Sequence, residues 1–387
     1  MRYALLLTLA LVPAAASAQV PANIEAQLLK IGQVVDPSCT AKLYRPLMPM
    51  SDFNTYWPPD APSPVSTAPL YPGVTITRDQ SFGPNAKDVL DIFVGEKGGS
   101  SRPVVIYVPG GGGNKVEQQV RESNAFYDNI GRWATKNGMV GVTVQRHPGS
   151  GNWDDGGRDI SVAVDWVRDN IAKYKGDPGR MVIWAHSAGN GPLGVYLGHP
   201  ERWKNGVQVK GAIFMSGNPV PGVGGAPGGG AGRGAPAGNP AGSTCGADAN
   251  MGSNNGRIAG PSGQTAPAGF GGGRGAGAAR GGFGGPLTPE QQTERDNLPG
   301  FKKTPVKIAL AWAELDPGVM NATMPANAVA LHDELCKIDG PAAKDGKGHC
   351  PEMWMLKGES HMSEVFSLDT SDQIVARPVL EFVKKAK

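Results

Sequence analysis

Charge is scarce in this chain and almost balanced: 37 Lys and Arg against 34 Asp and Glu leave a formal +3, with 18% of residues charged. So small an excess gives no argument for nucleic acid or an anionic membrane surface as a partner, and no nucleic acid is expected. No segment approaches the roughly 20 apolar residues of a bilayer-spanning helix, and the run Ala4–Val12 falls far short of it, so no stable membrane insertion is expected. Neither a Gly-Lys-[Ser/Thr] ending nor a Gly-x-Gly-x-x-Gly opening with a later acid is present, which argues against a nucleotide site. The four cysteines contain no Cys-x-x-Cys pair, so disulfides are expected before a metal site, and neither a metal nor an organic cofactor is implied. The many glycines, 57 of 387 residues, follow no strict period of three, which excludes a collagen triple helix.

What is present divides the chain. Arg2, the apolar run and the small residues Ala16-Ser17-Ala18 read as a secretory signal peptide over 1–18, cleaved after Ala18, and no cysteine follows to carry a lipid. An exported protein, secreted or periplasmic, is therefore expected. In an oxidising compartment Cys336 and Cys350, which bracket one short polar loop, are the expected disulfide pair; Cys39 with Cys245 follows only by elimination.

Residues 19–72 form a proline-rich arm with a helical pattern over Ile24–Gln33. Its aromatics Tyr44, Phe53, Tyr56 and Trp57 are expected to pin it to the main domain; lining a substrate cleft is the alternative. Strand signals then come at Val74–Thr77, Val89–Val94, Pro103–Val108, Met139–Val144, Met181–Trp184, Val209–Met215, Val306–Trp312 and Glu352–Leu356. Helical stripes lie between them at Phe126–Lys136, Asp159–Tyr174 and Ala326–Leu335, with a last helix over Asp372–Lys384. This order predicts an α/β fold with a mostly parallel central sheet and helices on both faces. It occupies 73–218 and 287–387. Between the two blocks, 219–286 is Gly, Ala and Pro without apolar periodicity, a composition that buries too little surface to order itself, and is read as a disordered insertion. An inert insertion is favoured over a loose lid.

Three motifs carry chemistry. Ala185-His186-Ser187-Ala188-Gly189 is a strand breaking into a tight turn of small residues around one serine. Pro109 and four consecutive glycines, Gly110–Gly113, follow a buried strand, a costly choice unless backbone must approach something closely. Late strands lead into Glu314-Leu315-Asp316-Pro317 and into Ser360-His361-Met362.

The serine motif resembles the nucleophile elbow of α/β-hydrolases, Gly-x-Ser-x-Gly, with Ala185 in place of the first glycine. The glycine run resembles the His-Gly-Gly-Gly loop of esterases and lipases of the carboxylesterase and hormone-sensitive-lipase kind, with Pro109 in place of the histidine. The segment from Gly157-Arg158-Asp159 to Gly176-Asp177-Pro178-Gly179-Arg180 resembles the approach to the elbow in the same esterases. The resemblance implies the α/β-hydrolase fold, Ser187 as nucleophile, Asp316 as the orienting acid with Glu314 as fallback, and His361 as base. It also implies an oxyanion hole from the N–H groups of Gly111, Gly112 and Ala188. The expected activity is hydrolysis of a small-molecule carboxylic ester; a serine peptidase of the same fold and a non-catalytic binding protein are the alternatives.

Overall fold

The computed structural model describes residues 20–48, 71–111, 113–115, 125–146, 152–220, 287–317, 323–339 and 350–386. The signal-peptide reading, Phe53, Tyr56, Trp57, Gly112, Cys245 and all of the Gly/Ala/Pro segment except Pro219 and Val220 lie outside them. Eight strands make one sheet: β1 (Val74–Ser81), β2 (Val89–Gly95), β3 (Arg102–Val108), β4 (Val140–Val144), β5 (Gly176–His186), β6 (Gly211–Met215), β7 (Lys307–Leu315) and β8 (Glu352–Ser360). Their order is β1-β2-β4-β3-β5-β6-β7-β8. β1 and β2 pair antiparallel, as do β2 and β4, and every other neighbour is parallel. The helices are α1 (Ala22–Ile31), α2 (Pro37–Tyr44), α3 (Ala125–Lys136), α4 (Asp155–Asn170), α5 (Asn190–Gly198), α6 (Pro289–Glu294), α7 (Leu298–Phe301), α8 (Thr323–Asp339), α9 (Ser363–Phe366) and α10 (Ala376–Lys385). The predicted α/β architecture stands.

The strands read as continuous apolar runs because both faces are buried. Alternate residues feed separate cores. Val105, Tyr107, Val182, Trp184, Ile213 and Met215 pack with Leu28, Tyr44, Ile130 and Phe382 on one face. Val104, Ile106, Met181, Ile183, Ala212 and Phe214 pack with Val164, Val167, Leu193 and Leu331 on the other.

Several boundaries differ from the sequence expectation, each for a local reason. β5 begins at Gly176, before the Asp177-Pro178-Gly179 turn expected to precede it. Gly176 pairs with Arg102, but the next pair is Met181 with Val104, so the turn residues bulge out of a strand already begun. Asp177 Oδ1 accepts from Gly179 N at 2.8 Å within that bulge. The proline-rich arm holds a helix that the pattern did not suggest, α2: Pro37 occupies its first turn, where no N–H is needed, and Asp36 caps it by accepting from Cys39 N. The arm is pinned by an aromatic, as expected: Tyr44 is fully buried and its hydroxyl donates to Asp372 Oδ2 at 2.9 Å. The last helix starts at Ala376 rather than Asp372, whose carboxylate instead accepts from Ile374 N at 3.1 Å. Packed structure continues past Asn218, where Val220 is fully buried and Pro219 O accepts from Asn297 Nδ2 at 2.8 Å.

Candidate active site

Four adjacent parallel strands each deliver a polar residue to the same edge of the sheet. Ser187 follows β5, Ser216 follows β6, Asp316 follows β7 and His361 follows β8. Leu315 and Ser360 are register partners, so Asp316 and His361 leave the sheet side by side. The carboxyl ends of parallel strands are where open α/β sheets place their ligands.

There the side chains form one hydrogen-bonded line. His361 Nε2 lies 2.9 Å from Ser187 Oγ, and His361 Nδ1 lies 2.5 Å from Asp316 Oδ2. Asp316 is buried, His361 nearly so, and Ser187 half-buried. Glu314, the fallback acid, is committed elsewhere: its Oε2 accepts from Gly358 N at 2.8 Å.

The small residues of the elbow are explained by contact. Ser187 holds φ +52°, a left-handed conformation that a non-glycine residue adopts at a cost. A Cβ on Gly189 would stand 2.8 Å from the carbonyl oxygens of both Val108 and Pro109. Asn190 fastens the turn from the other side, donating through Nδ2 to Ser187 O and Met215 O, both at 2.8 Å.

The glycine loop lies against the elbow. A Cβ on Gly110 would stand 2.7 Å from Ser187 Cβ, and one on Gly113 would stand 2.9 Å from Arg146 Cβ. Gly111 itself has φ +49° and is exposed, as is Ala188. Pro109 removes the anchoring histidine, and two cations that sequence reasoning missed hold the loop. Arg146 donates through Nε to Pro109 O at 2.9 Å and through Nη2 to Gly111 O at 3.3 Å, while its own N–H reaches Gly113 O at 2.7 Å. Burial pushes this guanidinium below its ordinary pKa, against the opposing charge of Asp159. Two residues after Gly113, the buried Lys115 pairs with Asp91 of β2 and with Asp79. Burial raises the Asp91 pKa, but Lys115 and Arg78 outweigh it and hold the carboxyl below its ordinary value.

A second set of polar groups supports the histidine. His186 Nε2 lies 2.8 Å from the carbonyl oxygen of His361, so that nitrogen carries the hydrogen. Burial, helped by the neighbouring His361, pushes the His186 pKa down to about 3, so its ring is neutral. Glu364 Oε1 accepts from Ser216 Oγ at 2.8 Å, and burial together with the charge of Asp316 pushes this carboxyl well up. Asn129 of α3 ties down the chain after His361, donating to Val365 O at 2.8 Å and Leu368 O at 3.0 Å. No local signal marks these partners, because they come from segments far apart in sequence.

Directly behind His361, Ser363 Oγ donates to Glu359, and Tyr44 bridges to Asp372. Burial first, and then Asp372, push the Glu359 carboxyl well above its ordinary value. The folded state therefore keeps a proton that the unfolded chain releases above the glutamate range, so stability falls as pH rises from there, by about 1.4 kcal/mol per pH unit, until Glu359 ionises. Glu359→Gln removes the titration. Urea unfolding should show the variant gaining on wild type as pH rises above the ordinary glutamate range; parallel curves would mean that Glu359 is ionised in the fold.

Residues 90–204 match the family model described as BD-FAE. The chain is 30% identical over 170 residues to Lipase 5 of Diutina rugosa, covering 38% of this chain and 31% of that protein. It is also 30% identical over 158 residues to Secreted triacylglycerol lipase LIP1 of Gibberella zeae, covering 35% and 26%. Over these segments the chain is similar to esterases and lipases of the α/β-hydrolase fold. It spans less than a third of the length of these two relatives. Among solved structures, carboxyl esterase 2 (TmelEST2) from the mycorrhizal fungus Tuber melanosporum aligns over 83% of this chain and 89% of that chain, with 14% identity and a TM-score of 0.49. Cys336 and Cys350 are bonded, with Cα atoms 4.3 Å apart, and Cys39 is disulfide-bonded as well. Among the described residues, no helix is long and apolar enough to cross a membrane.

Proposed function

We propose that this α/β-hydrolase is an exported serine esterase that cleaves small-molecule carboxylic esters through an acyl-enzyme. One observation carries the reading: the line Ser187–His361–Asp316, with spacings of 2.9 and 2.5 Å, beside a left-handed serine. A serine hydroxyl is a weak nucleophile at neutral pH and needs a base that is itself held in one tautomer. Asp316 accepts the Nδ1 hydrogen of His361, leaving Nε2 free to take the Ser187 proton as Oγ attacks the acyl carbonyl. The tetrahedral oxyanion is held by the N–H groups of Gly111, Gly112 and Ala188, each donor worth about 3 kcal/mol of barrier. His361 then gives its proton to the leaving alcohol. Water, deprotonated by the same nitrogen, releases the acid and restores the serine.

The catalytic domain in this reading is 73–218 with 287–387, and 219–286 is an inert insertion. Export is supported by the leader-like residues 1–18 and by the disulfides, which persist in oxidising compartments. An active-site-directed fluorophosphonate tests the enzyme: wild type should be labelled once, at Ser187, and Ser187→Ala not at all. A folded wild type that stays unlabelled sinks the proposal. Turnover of a peptide amide faster than the matching ester would replace it with a peptidase.

A further inference from the structure

The disulfide on the far side of the molecule has a third partner that ester hydrolysis does not use. His332 and Cys336 stand four positions apart on α8, hence on one face of it, and Cys350 lies just before β8. His332 Nε2 is 3.3 Å from Cys336 Sγ and 3.9 Å from Cys350 Sγ. Its other nitrogen, Nδ1, is 3.1 Å from Asp333 Oδ1. A carboxylate on one imidazole nitrogen while the other faces two sulfurs is the arrangement of a metal-binding histidine with its outer partner.

We propose that Cys336, Cys350 and His332 form a redox-gated site for a soft d10 cation, Zn2+, which opens when the disulfide is reduced. In a tetrahedral zinc site with Zn–N of about 2.0–2.1 Å and Zn–S of about 2.3 Å, nitrogen and sulfur stand about 3.6 Å apart and two sulfurs about 3.8 Å. The two nitrogen–sulfur distances already bracket the first value. Only the sulfurs must part. A dithiol supplies two electrons and two protons, breaking the S–S bond into two thiols and becoming a disulfide itself. Zn2+ then displaces both thiol protons and takes the neutral His332 nitrogen. Cys350 is exposed, so the fourth position opens to water, and the site accepts a cation without disturbing the core.

The test uses the full tag-free chain, reduced with a dithiol and desalted without oxygen, with Co2+ as a spectroscopic probe. The reduced protein should bind one Co2+ with thiolate-to-cobalt charge transfer in the near ultraviolet, and Zn2+ should bleach that band. His332→Ala and Cys350→Ser should abolish the band. Asp333→Asn should weaken Zn2+ binding by about tenfold, the low end of what loss of an outer partner costs. The oxidised chain should bind neither ion. Equal binding by the oxidised chain overturns the proposal, as does a band that survives His332→Ala or Cys350→Ser, or a reduced, folded chain that binds no Co2+.

Discussion

Ser187→Ala is expected to lower kcat on a chromogenic acetate ester by roughly 10⁴–10⁶-fold with KM little changed, because the residues of such a relay act as a unit. His361→Ala should cost about as much, and the double variant no more than either single. The reason is visible in the geometry: Asp316 still holds His361 once the hydroxyl is gone, but a base without a nucleophile transfers no proton. Folding should hardly notice. The lost contact is one half-exposed hydrogen bond, worth about 1 kcal/mol, and alanine meets the left-handed φ of position 187 no better or worse than serine. Steady-state kinetics with urea unfolding on the same samples separates the two effects. Ser187→Ala turning over at the wild-type rate would remove Ser187 from the mechanism.

The second large effect is expected from a single methyl group on the glycine loop. Gly110→Ala would place a Cβ 2.7 Å from Ser187 Cβ and 3.1 Å from His186 O. Neither neighbour is the yielding tip of a long side chain, so the loop and the elbow must separate. A displacement near 1 Å in a reacting constellation costs on the order of 10²-fold in rate, and overpacking of this kind costs about 1–3 kcal/mol of stability. Gly99→Ala, in the loop between β2 and β3, is the control: its Cβ would meet nothing within 4 Å. If the two variants lose kcat equally, close approach to the serine is not why the run of glycines exists.

Much of this site was legible in the sequence because its parts obey local rules. A strand that breaks into Ala-His-Ser-Ala-Gly can hardly avoid presenting the serine on a turn, and an acid and a histidine placed just after late strands come to the same sheet edge if the strands are parallel. The Cys336–Cys350 bond followed from the short loop between them. The parts that escaped are long-range or depend on position within an element. Arg146 and Lys115 replace the loop anchor lost at Pro109, yet each looks like an ordinary surface cation until the fold brings β2 and β4 together. His186 and Glu364 are distant in sequence and meet only around His361. Helix α2 escaped because its eight residues are too few to show a helical period, although Pro37 suits its first turn. The short α6, with its reciprocal Thr288 and Gln291 cap, carried a readable signal that the surrounding glycine obscured.

The same sheet edge also sets a schedule. Ser187 and His361 are separated by 174 positions, and the two strands between them, β6 and β7, must be laid down before β8 can dock. At about 5–20 residues per second, a ribosome exposes the serine for roughly 10–35 s before the histidine has been made. Throughout that interval Ser187 is an ordinary alcohol. Under the proposed mechanism, a chain built in this order acquires its nucleophile only when the last strand arrives.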